Sequence, residues 1–263
     1  MEAEKELFQV FDTHCHLDDP KFDADREDAY HRMLENGVKR CVCVGSDLPS
    51  SRRCLEFAEQ HDGVYAAVGV HPHEAKDAPK DYLIQLRETL RHPKVVALGE
   101  IGLDYYYDFS PRDVQKRIMA EQMELALEMD MPVIFHIRDA HGDMVDFFRG
   151  AKKLPSGVIH CFSGSAEIAK EYARMGFYIS FAGPLTFKKA PNLWEAACQT
   201  PLERLLVETD SPYLSPEPFR GRRNEPGHVV WVMRKMAALR QLPEKEMARI
   251  TWENACRFYR LNQ

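Results

Sequence analysis

Residues 10–17 have the sequence VFDTHCHL, in which strand-favouring apolar residues lead directly into two histidines one residue apart. Side chains on a β-strand alternate between its two faces, so His14 and His16 should project to the same side, with Asp12 below them. Two imidazoles at the end of one strand form half of a metal site. Because the chain contains 11 histidines, the meaning of this pair depends on the residues that end the other strands.

Seven more short apolar runs follow, each separated from the next by a polar loop and a helical pattern. The eight runs are residues 7–13, 40–45, 64–70, 95–101, 132–136, 157–161, 177–181 and 205–209. Their Val and Ile content and their length of about five to seven residues are typical of buried parallel strands. The repeated strand–helix alternation predicts an α/β fold, a (β/α)8 TIM barrel, and the length fits one domain over residues 1–263.

Helical patterns occupy the intervals between these runs. Arg112–Glu128 carries apolar residues at helical spacing, and Ser110 followed by Pro111 predicts an N-cap with proline at the first helical position. Further helical patterns cover residues 166–175, 227–240 and 243–259.

The composition narrows the class of protein. A net charge of −6 argues against a surface coated with basic residues for tight duplex binding, but it allows a local basic rim around a pocket. No apolar run reaches the roughly 18 residues of a transmembrane helix, and residues 1–6 lack the layout of a secretory signal. Seven scattered cysteines fit reduced core thiols. We therefore expect a cytoplasmic protein with no membrane partner and no obligate protein partner.

Ionisable residues follow nearly every predicted strand, at the barrel end where TIM-barrel enzymes carry their chemistry. Four imidazoles and two carboxylates stand out: His14, His16, Glu100, His136, His160 and Asp210. Facing each other without a cation, they would cost several kcal/mol. We therefore predict two divalent ions with one carboxylate bridging them. Mixed nitrogen and oxygen ligands suit Zn²⁺, Mn²⁺ or Fe²⁺, and Mg²⁺ is also compatible.

Two further features concern the chemistry at this rim. Glu208 and Asp210 are two residues apart, so one can bind metal while the other positions a water or holds a ligand histidine. Arg138 lies two residues after a predicted ligand and could grip a phosphate oxygen, or it could pair with Asp139 or Asp143.

The sequence resembles the TatD-like metal-dependent deoxyribonucleases over almost its full length. The resemblance is carried by DTHCH (12–16), GVHPH (69–73), GEIGLDYY (99–106), HIR (136–138), HCFSG (160–164), ETDSP (208–212) and RNEP (223–226). It implies a metallohydrolase barrel that cleaves phosphodiester bonds of DNA with water activated by two metal ions. It further implies 3′-5′ exonuclease action on single-stranded or frayed ends, with RNA as a further substrate.

The same resemblance implies the arrangement of the site. One ion is expected on His14, His16 and Asp210, and a second on His136 and His160 with Glu100 between the two. The expected catalytic residues are Glu100, Asp210 and Glu208.

A basic loop, FRGRRN at residues 219–224, should overhang the site because it follows the eighth strand. Relatives often carry Lys where this chain has Arg222, and either can meet a phosphate. The expected substrate contacts are Arg138, His71, Arg222 and Asn224. The aromatic residues that follow Glu100, Tyr105 to Tyr107 and Phe109, could stack unpaired bases or simply pack the loop.

Two other functions fit the same residues. The first is a barrel hydrolase that uses the same metals on a small amide, lactone or phosphoester. Metal ligands alone do not separate it from a nuclease, and the basic loop favours the polyanion. The second is a non-catalytic metal-binding scaffold that recruits a partner, which the complete ligand set argues against.

Overall fold

The computed structural model describes residues 9–262, which form one parallel sheet of eight strands in sequential order. The strands are β1 Val10–Cys15, β2 Val38–Val44, β3 Val64–Val68, β4 Val95–Asp104, β5 Val133–Arg138, β6 Gly157–Ile159, β7 Tyr178–Phe181 and β8 Leu205–Val207. Each overlaps one predicted run, and the predicted TIM barrel is confirmed. Residues 7 and 8, the start of the first predicted strand, lie outside the described residues.

Helices follow the strands around the outside of the barrel. They are α1 Arg26–Glu35, α2 Leu48–Gln60, α3 Tyr82–Thr89, α4 Arg112–Glu128, α5 His141–Gly150, α6 Ala166–Arg174, α7 Pro191–Gln199, α8 Val229–Arg240 and α9 Glu244–Phe258. Short 3₁₀ helices lie at Pro20–Phe22, Pro72–Asp77, Gly183–Thr186, Leu202–Arg204 and Pro226–His228. Within residues 9–262, no helix is long and apolar enough to cross a membrane.

The start of α4 corrects one local prediction. The helix begins at Arg112 as expected, but its N-cap is Pro111 rather than Ser110. The Ser110 hydroxyl instead donates to the carbonyl of His73 at 2.8 Å and accepts the backbone N–H of Lys76 at 3.0 Å. Ser110 therefore ties the loop after β4 to the loop after β3.

The first and last strands are joined where the barrel closes. The Thr13 hydroxyl donates to the carbonyl of Val207 at 3.0 Å, and the backbone N–H of Asp210 donates to the carbonyl of His14 at 2.9 Å. Beyond them, the His16 backbone N–H donates to the carbonyl of Ser211 at 2.7 Å. These bonds place the end of β1 beside the end of β8, although the two lie almost 200 residues apart.

Asp12 does not occupy the place predicted for it below the two histidines. The register of β1 against β2 shifts between Asp12 and Cys15, which interrupts the simple alternation of side chains. The buried Asp12 carboxylate accepts the backbone N–H of Thr209 at 2.8 Å and its hydroxyl at 2.5 Å. Asp12 therefore supports the closure of the barrel.

The core has an inner and an outer part. The inner cluster takes residues from all eight strands, including Phe11, Val42, Ile134 and Leu206, so it fills the barrel interior. Phe258 and Tyr259 at the end of α9 pack into the same cluster, and the Tyr259 hydroxyl donates to the carbonyl of Thr13 at 2.7 Å. The outer cluster packs the helices on the sheet. The end of the barrel opposite α9, where the strands have their carboxyl ends, carries the ionisable residues.

Candidate metal centre

The six predicted ligands converge at the carboxyl ends of β1, β4, β5, β6 and β8. Glu100 is the meeting point, since one of its carboxylate oxygens lies 3.4 Å from His14 Nε2 and the other 2.5 Å from His160 Nε2. Glu100 is buried, and each of its oxygens faces a different group of nitrogen donors. The structure thus brings these side chains within metal–ligand reach of one another.

The first group of donors is formed by His14, His16, Asp210 and one oxygen of Glu100. The Nε2 atoms of the two histidines are 3.2 Å apart, and they lie 3.7 Å and 3.4 Å from Asp210 Oδ1. Bonds of about 2.0–2.1 Å to a tetrahedral metal put neighbouring ligand atoms about 3.3–3.4 Å apart. These spacings therefore fit a divalent ion held by the two histidines together with a carboxylate oxygen of Asp210 or Glu100.

The second group is formed by His136, His160 and the other oxygen of Glu100. His136 Nδ1 lies 2.6 Å from Glu100 Oε1 and 3.2 Å from His160 Nε2. The ring of His160 also stacks on that of His14 at 4.1 Å between centroids, so the two groups are contiguous. Glu100 is placed to bridge them, one oxygen to each.

Hydrogen bonds at the far side of three rings leave the inward nitrogen free to bind metal. His16 Nδ1 lies 2.7 Å from the carbonyl of Val44, and His160 Nδ1 lies 3.2 Å from Glu208 Oε1. His136 Nε2 lies 3.0 Å from Asp104 Oδ2. Because each outer nitrogen faces an oxygen acceptor, it carries the proton, and the inward nitrogen presents a lone pair.

His71 was predicted to contact substrate, and the structure places it against the second group. Its Nε2 lies 3.5 Å from Glu100 Oε1. Its Nδ1 accepts the backbone N–H of His73 at 3.1 Å, so in the neutral ring Nε2 carries the proton. Burial lowers the pKa of His71 to about 4, which keeps the ring neutral. His71 therefore presents an N–H donor to the site, in contrast to the inward lone pairs of His16, His136 and His160.

The electrostatics of the centre call for added positive charge. Burial alone would raise the pKa of Glu100, but the charged histidines beside it, His160 foremost, hold that pKa well below its usual range. Burial would lower the pKa of His16, yet the Asp210 carboxylate raises it to about 10. Without a metal, protonated imidazoles balance the carboxylates, and a divalent cation would displace those protons. The donor set therefore fits a divalent metal.

Glu208 lies behind the centre rather than in it. Its side chain is 1% exposed, against 14% for Asp210. One Glu208 oxygen accepts the backbone N–H of Cys161 at 2.7 Å and faces His160. Of the two roles considered for Glu208, the geometry is that of a residue holding a ligand histidine.

Asp104 contacts a candidate ligand histidine, and it is absent from the site residues predicted from the sequence. Asp104 is fully buried. One of its carboxylate oxygens lies 2.8 Å from His73 Nε2 and also faces His136. The other accepts the backbone N–H groups of Tyr106 and Tyr107. Gln115 of α4 clamps its backbone, with Oε1 accepting the Asp104 N–H at 2.8 Å. The available signals were its position shortly after a predicted strand and its place in the motif GEIGLDYY (99–106).

Arg138 extends from β5 over the mouth of the site. Its guanidinium lies 4.2 Å from the ring centroid of Tyr106 and 4.8 Å from that of Tyr107. The predicted alternative, a salt bridge of Arg138 with Asp139 or Asp143, is not formed within residues 9–262; Asp143 instead accepts from Tyr105 and Lys116. The Arg138 donors therefore remain directed to the site's mouth.

The basic loop at 219–224 carries less free charge than its sequence suggests. Arg223 is held by Asp25 at 2.6 Å and Glu225 at 3.1 Å, and Arg220 lies over the ring of Phe187. Arg222 is exposed and forms no ion pair with any residue of the described chain. Arg222 is therefore the arginine of this loop best able to contact a polyanion.

Asn224, also predicted to contact substrate, is fully buried. Its amide nitrogen donates to the carbonyls of Thr209 at 2.9 Å and Tyr213 at 2.7 Å, and its oxygen accepts the backbone N–H of Glu225 at 3.0 Å. The structure places Asn224 behind the wall of the site, where it orders the segment after β8 around Asp210.

Gly102 allows the close approach of β4 and β5 at the centre. Its φ is +150°, and a Cβ at this position would lie 1.9 Å from the carbonyl oxygen of His136. Only glycine fits this contact, which draws the strand of Glu100 against that of His136.

Two cavities meet at the donor groups. The larger, about 570 Å³, is polar and open, and it is lined by His16, Asp18, His73, Tyr107 and Tyr213 among others. The smaller, about 250 Å³, is bordered by the loops after β5 to β8. Both are lined by His136, Arg138, His160, Asp210 and Leu214.

A TIM barrel with clustered histidines and carboxylates at the carboxyl ends of its strands defines a metal-dependent hydrolase. The family model for TatD related DNase matches residues 11–260, and the chain belongs to this family. The metal-dependent hydrolase YabD of Bacillus subtilis is 46% identical over 255 residues, covering 96% of this chain and all of the relative.

Two further comparisons agree. The 3′-5′ ssDNA/RNA exonuclease TatD of Musicola paradisiaca is 33% identical over 261 residues, which cover 97% of this chain and 99% of that protein. The crystal structure of YJJV, a TatD homolog from Escherichia coli, is 33% identical and superimposes with a TM-score of 0.92 over 97% of this chain and all of that one.

Proposed function

We propose that this protein is a metal-dependent phosphodiesterase that trims single-stranded or frayed DNA from the 3′ end, with RNA as a further substrate. One observation carries the proposal: the bridged donor groups lie at the floor of a groove whose mouth holds Arg138, stacked on exposed tyrosines. Its relative in Musicola paradisiaca, named as an exonuclease of single-stranded DNA and RNA, supports this reading.

Six residues would hold two divalent ions, Mg²⁺, Mn²⁺ or Zn²⁺. His14, His16 and Asp210 form the first site, His136 and His160 the second, and Glu100 bridges. When bound, such ions polarise a phosphoryl oxygen and acidify water. The side chains around the ions would orient the phosphodiester and accept protons.

Asp210 is the carboxylate best placed to accept the proton of the attacking water. It reaches both cavities, whereas Glu208 is buried and already accepts from Cys161. Burial would raise the Asp210 pKa, but the neighbouring histidines, His16 foremost, lower it below its usual range. Asp210 therefore stays an ionised acceptor at neutral pH.

Two donors would hold the phosphate. Arg138 offers a guanidinium at the mouth, and His71 offers its Nε2–H from the floor. A substrate oxygen held between them would lie next to Glu100, at the junction of the two donor groups. Arg222 would contact the chain further out, where charge matters more than geometry.

Exposed aromatic rings favour an unpaired strand. Tyr106 is 59% exposed and Tyr107 46%, and Phe109 and Tyr213 are also exposed. Tyr107 and Phe109 stack with centroids 5.1 Å apart. Rings at this spacing can stack on bases of single strands, at about 1–3 kcal/mol per base. Bases paired inside a duplex could not reach them.

A small amide, lactone or phosphoester is the second candidate substrate. The pairing of Arg223 with Asp25 and Glu225 favours it, because it removes part of the charge expected to steer a polyanion.

The test is a gel assay of 5′-labelled single-stranded and blunt duplex DNA with Mg²⁺ or Mn²⁺, beside a panel of small esters, lactones and amides. We expect a 3′ ladder on the single strand, lost in Glu100→Gln and kept in the exposed control Glu203→Gln. Cleavage of the small esters, lactones or amides without cleavage of DNA would support the second candidate substrate instead. Equal cutting within intact duplex would refute the end-trimming.

A further inference from the structure

The smaller cavity beside the metal centre has an unusual wall for the rim of a barrel. Its floor is polar and is formed by His136, His160 and Asp210. The wall that faces them is apolar and is formed by Phe162, Phe181, Leu185, Leu193 and Leu214. Loops at this end of a barrel normally present polar groups to solvent, so an open apolar recess here points to a ligand.

The wall is built into the fold and does not depend on loop motion. Phe162, Phe181 and Leu185 are buried, and the two phenyl rings contact each other at 5.9 Å between centroids. The indole N–H of Trp194 donates to the carbonyl of Leu185 at 2.9 Å and fixes the short helix after β7. The recess is therefore preformed.

Close backbone packing holds the edge of the recess in place. A Cβ at Gly183 would lie 1.7 Å from the carbonyl oxygen of Leu214, so the short helix after β7 docks directly on the segment after β8. Leu214 is 38% exposed and lines both cavities. It marks the boundary between the apolar recess and the polar groove.

The chemistry of the lining selects the ligand. The apolar wall suits the face of a flat, uncharged ring, and Arg138, Cys161 and Ser163 at the rim offer polar groups to its edge. The volume of about 250 Å³ is below the roughly 300–1,000 Å³ of pockets that bury a drug-sized ligand, so it holds one ring system. A phosphate attached to that ring would reach the floor.

We propose that this recess binds the base of the terminal nucleotide, the one that hydrolysis releases. The inference rests on the proposed function and adds to it a specificity site. The remainder of the strand would lie in the larger polar groove, past Tyr107 and Tyr213. A short apolar recess on one side of the donors and a longer polar groove on the other would release nucleotides singly from an end.

The first experiment compares two single-stranded oligonucleotides that differ only in the 3′-terminal residue, which is a normal nucleotide or an abasic one. We expect the abasic end to be removed with a kcat/KM about tenfold lower, within the range for one stacked base. Leu193 is half-buried on α7, so Leu193→Trp should fill the recess. This variant should abolish the difference in kcat/KM, because it slows removal of the normal nucleotide alone. Leu193→Ala should reduce the difference partially.

Leu83→Trp provides the matched control, because Leu83 is also a half-buried leucine on a helix, α3, away from the site. It should keep the full tenfold preference. Equal kcat/KM for the two ends in the unmodified protein would overturn the proposal, as would a Leu193→Trp variant that keeps the preference.

A binding assay separates this inference from the proposed function. With Mn²⁺ present, calorimetry should show deoxyadenosine 5′-monophosphate binding about tenfold more tightly than 2-deoxyribose 5-phosphate, with the gap closed in Leu193→Trp. If no oligonucleotide is cleaved but this gap is found, the nuclease function fails and the base site stands. If oligonucleotides are cleaved and both ligands bind equally, the base site fails alone.

Discussion

Replacing Asp104 with Asn should weaken the second metal site without touching any metal ligand. In the structure, one Asp104 oxygen faces the Nε2 atoms of His73 and His136, and the other accepts two backbone N–H groups. An asparagine can present an oxygen to only one of these sides. Keeping the two backbone bonds turns its NH₂ toward the imidazoles, which forces the proton of neutral His136 onto Nδ1. That nitrogen is the one that faces Glu100.

The size of the effect follows from this tautomer change. Loss of a partner that orients a ligand histidine costs about 10- to 100-fold in metal affinity, or about 1.4–2.7 kcal/mol. We expect calorimetric titration of metal-free Asp104→Asn with Mn²⁺ to show that loss for one ion, with the other ion's affinity changed less than about threefold. Asp113→Asn, on the exposed first turn of α4, is the control and should bind as the unmodified protein does. Unchanged affinity for both ions in a folded Asp104→Asn protein would refute the reasoning.

Three other outcomes are expected. Gly102→Ala places a methyl group against the His136 carbonyl, so we expect a loss of roughly 2 kcal/mol or more in the urea unfolding free energy, with Gly142→Ala, where a Cβ meets nothing within 4 Å, as control. Arg138→Met should raise KM for single-stranded DNA about tenfold and flatten its dependence on salt, whereas an equal loss on a small phosphoester would contradict a role in strand binding. Arg32→Gln removes a partner of Glu225 and Asp25, and both carboxyl groups have pKa values below their usual range. Burial would raise the pKa of Glu225, but its hydrogen bond to Arg32 lowers it more than any other interaction does. At Asp25, Arg223 lowers the pKa most and Arg32 adds to the effect. Depressed carboxyl pKa values stabilise the fold above the unfolded values of about 4, and this effect is lost as the pH falls through the lower folded values. The variant should therefore be about 1 kcal/mol less stable at pH 7, and the difference should shrink progressively as the pH falls below about 4. A pH-independent difference would mean that packing, not charge, explains the loss.

The barrel and the converging ligands could be predicted because both depend on short-range patterns. Apolar runs of strand length separated by helical patterns indicate the fold, and residues that end parallel strands meet at one rim. His14 and Glu100 are predictable on these grounds, and the structure places them 3.4 Å apart although 86 residues separate them in sequence.

The partners of individual charges could not be predicted, because they come from distant parts of the chain. The sequence predicts Arg223 to be a free cation in its loop, but it pairs with Asp25, which lies 198 residues away in sequence. Asn224 reads as a polar loop residue, yet it is buried by its bonds to Thr209 and Tyr213. Simple strand alternation predicts Asp12 on the same face as His14, but a local register shift in β1 interrupts that alternation. Each outcome depends on tertiary packing.

The most direct test of the central claim is a crystal structure of the Mn²⁺-soaked protein, with the metal located by its anomalous scattering. Two peaks are expected, one among His14, His16 and Asp210 and one beside His136 and His160, with one Glu100 oxygen bound to each ion. A single peak that does not contact Glu100, or peaks only outside the rim of the barrel, would contradict the central claim.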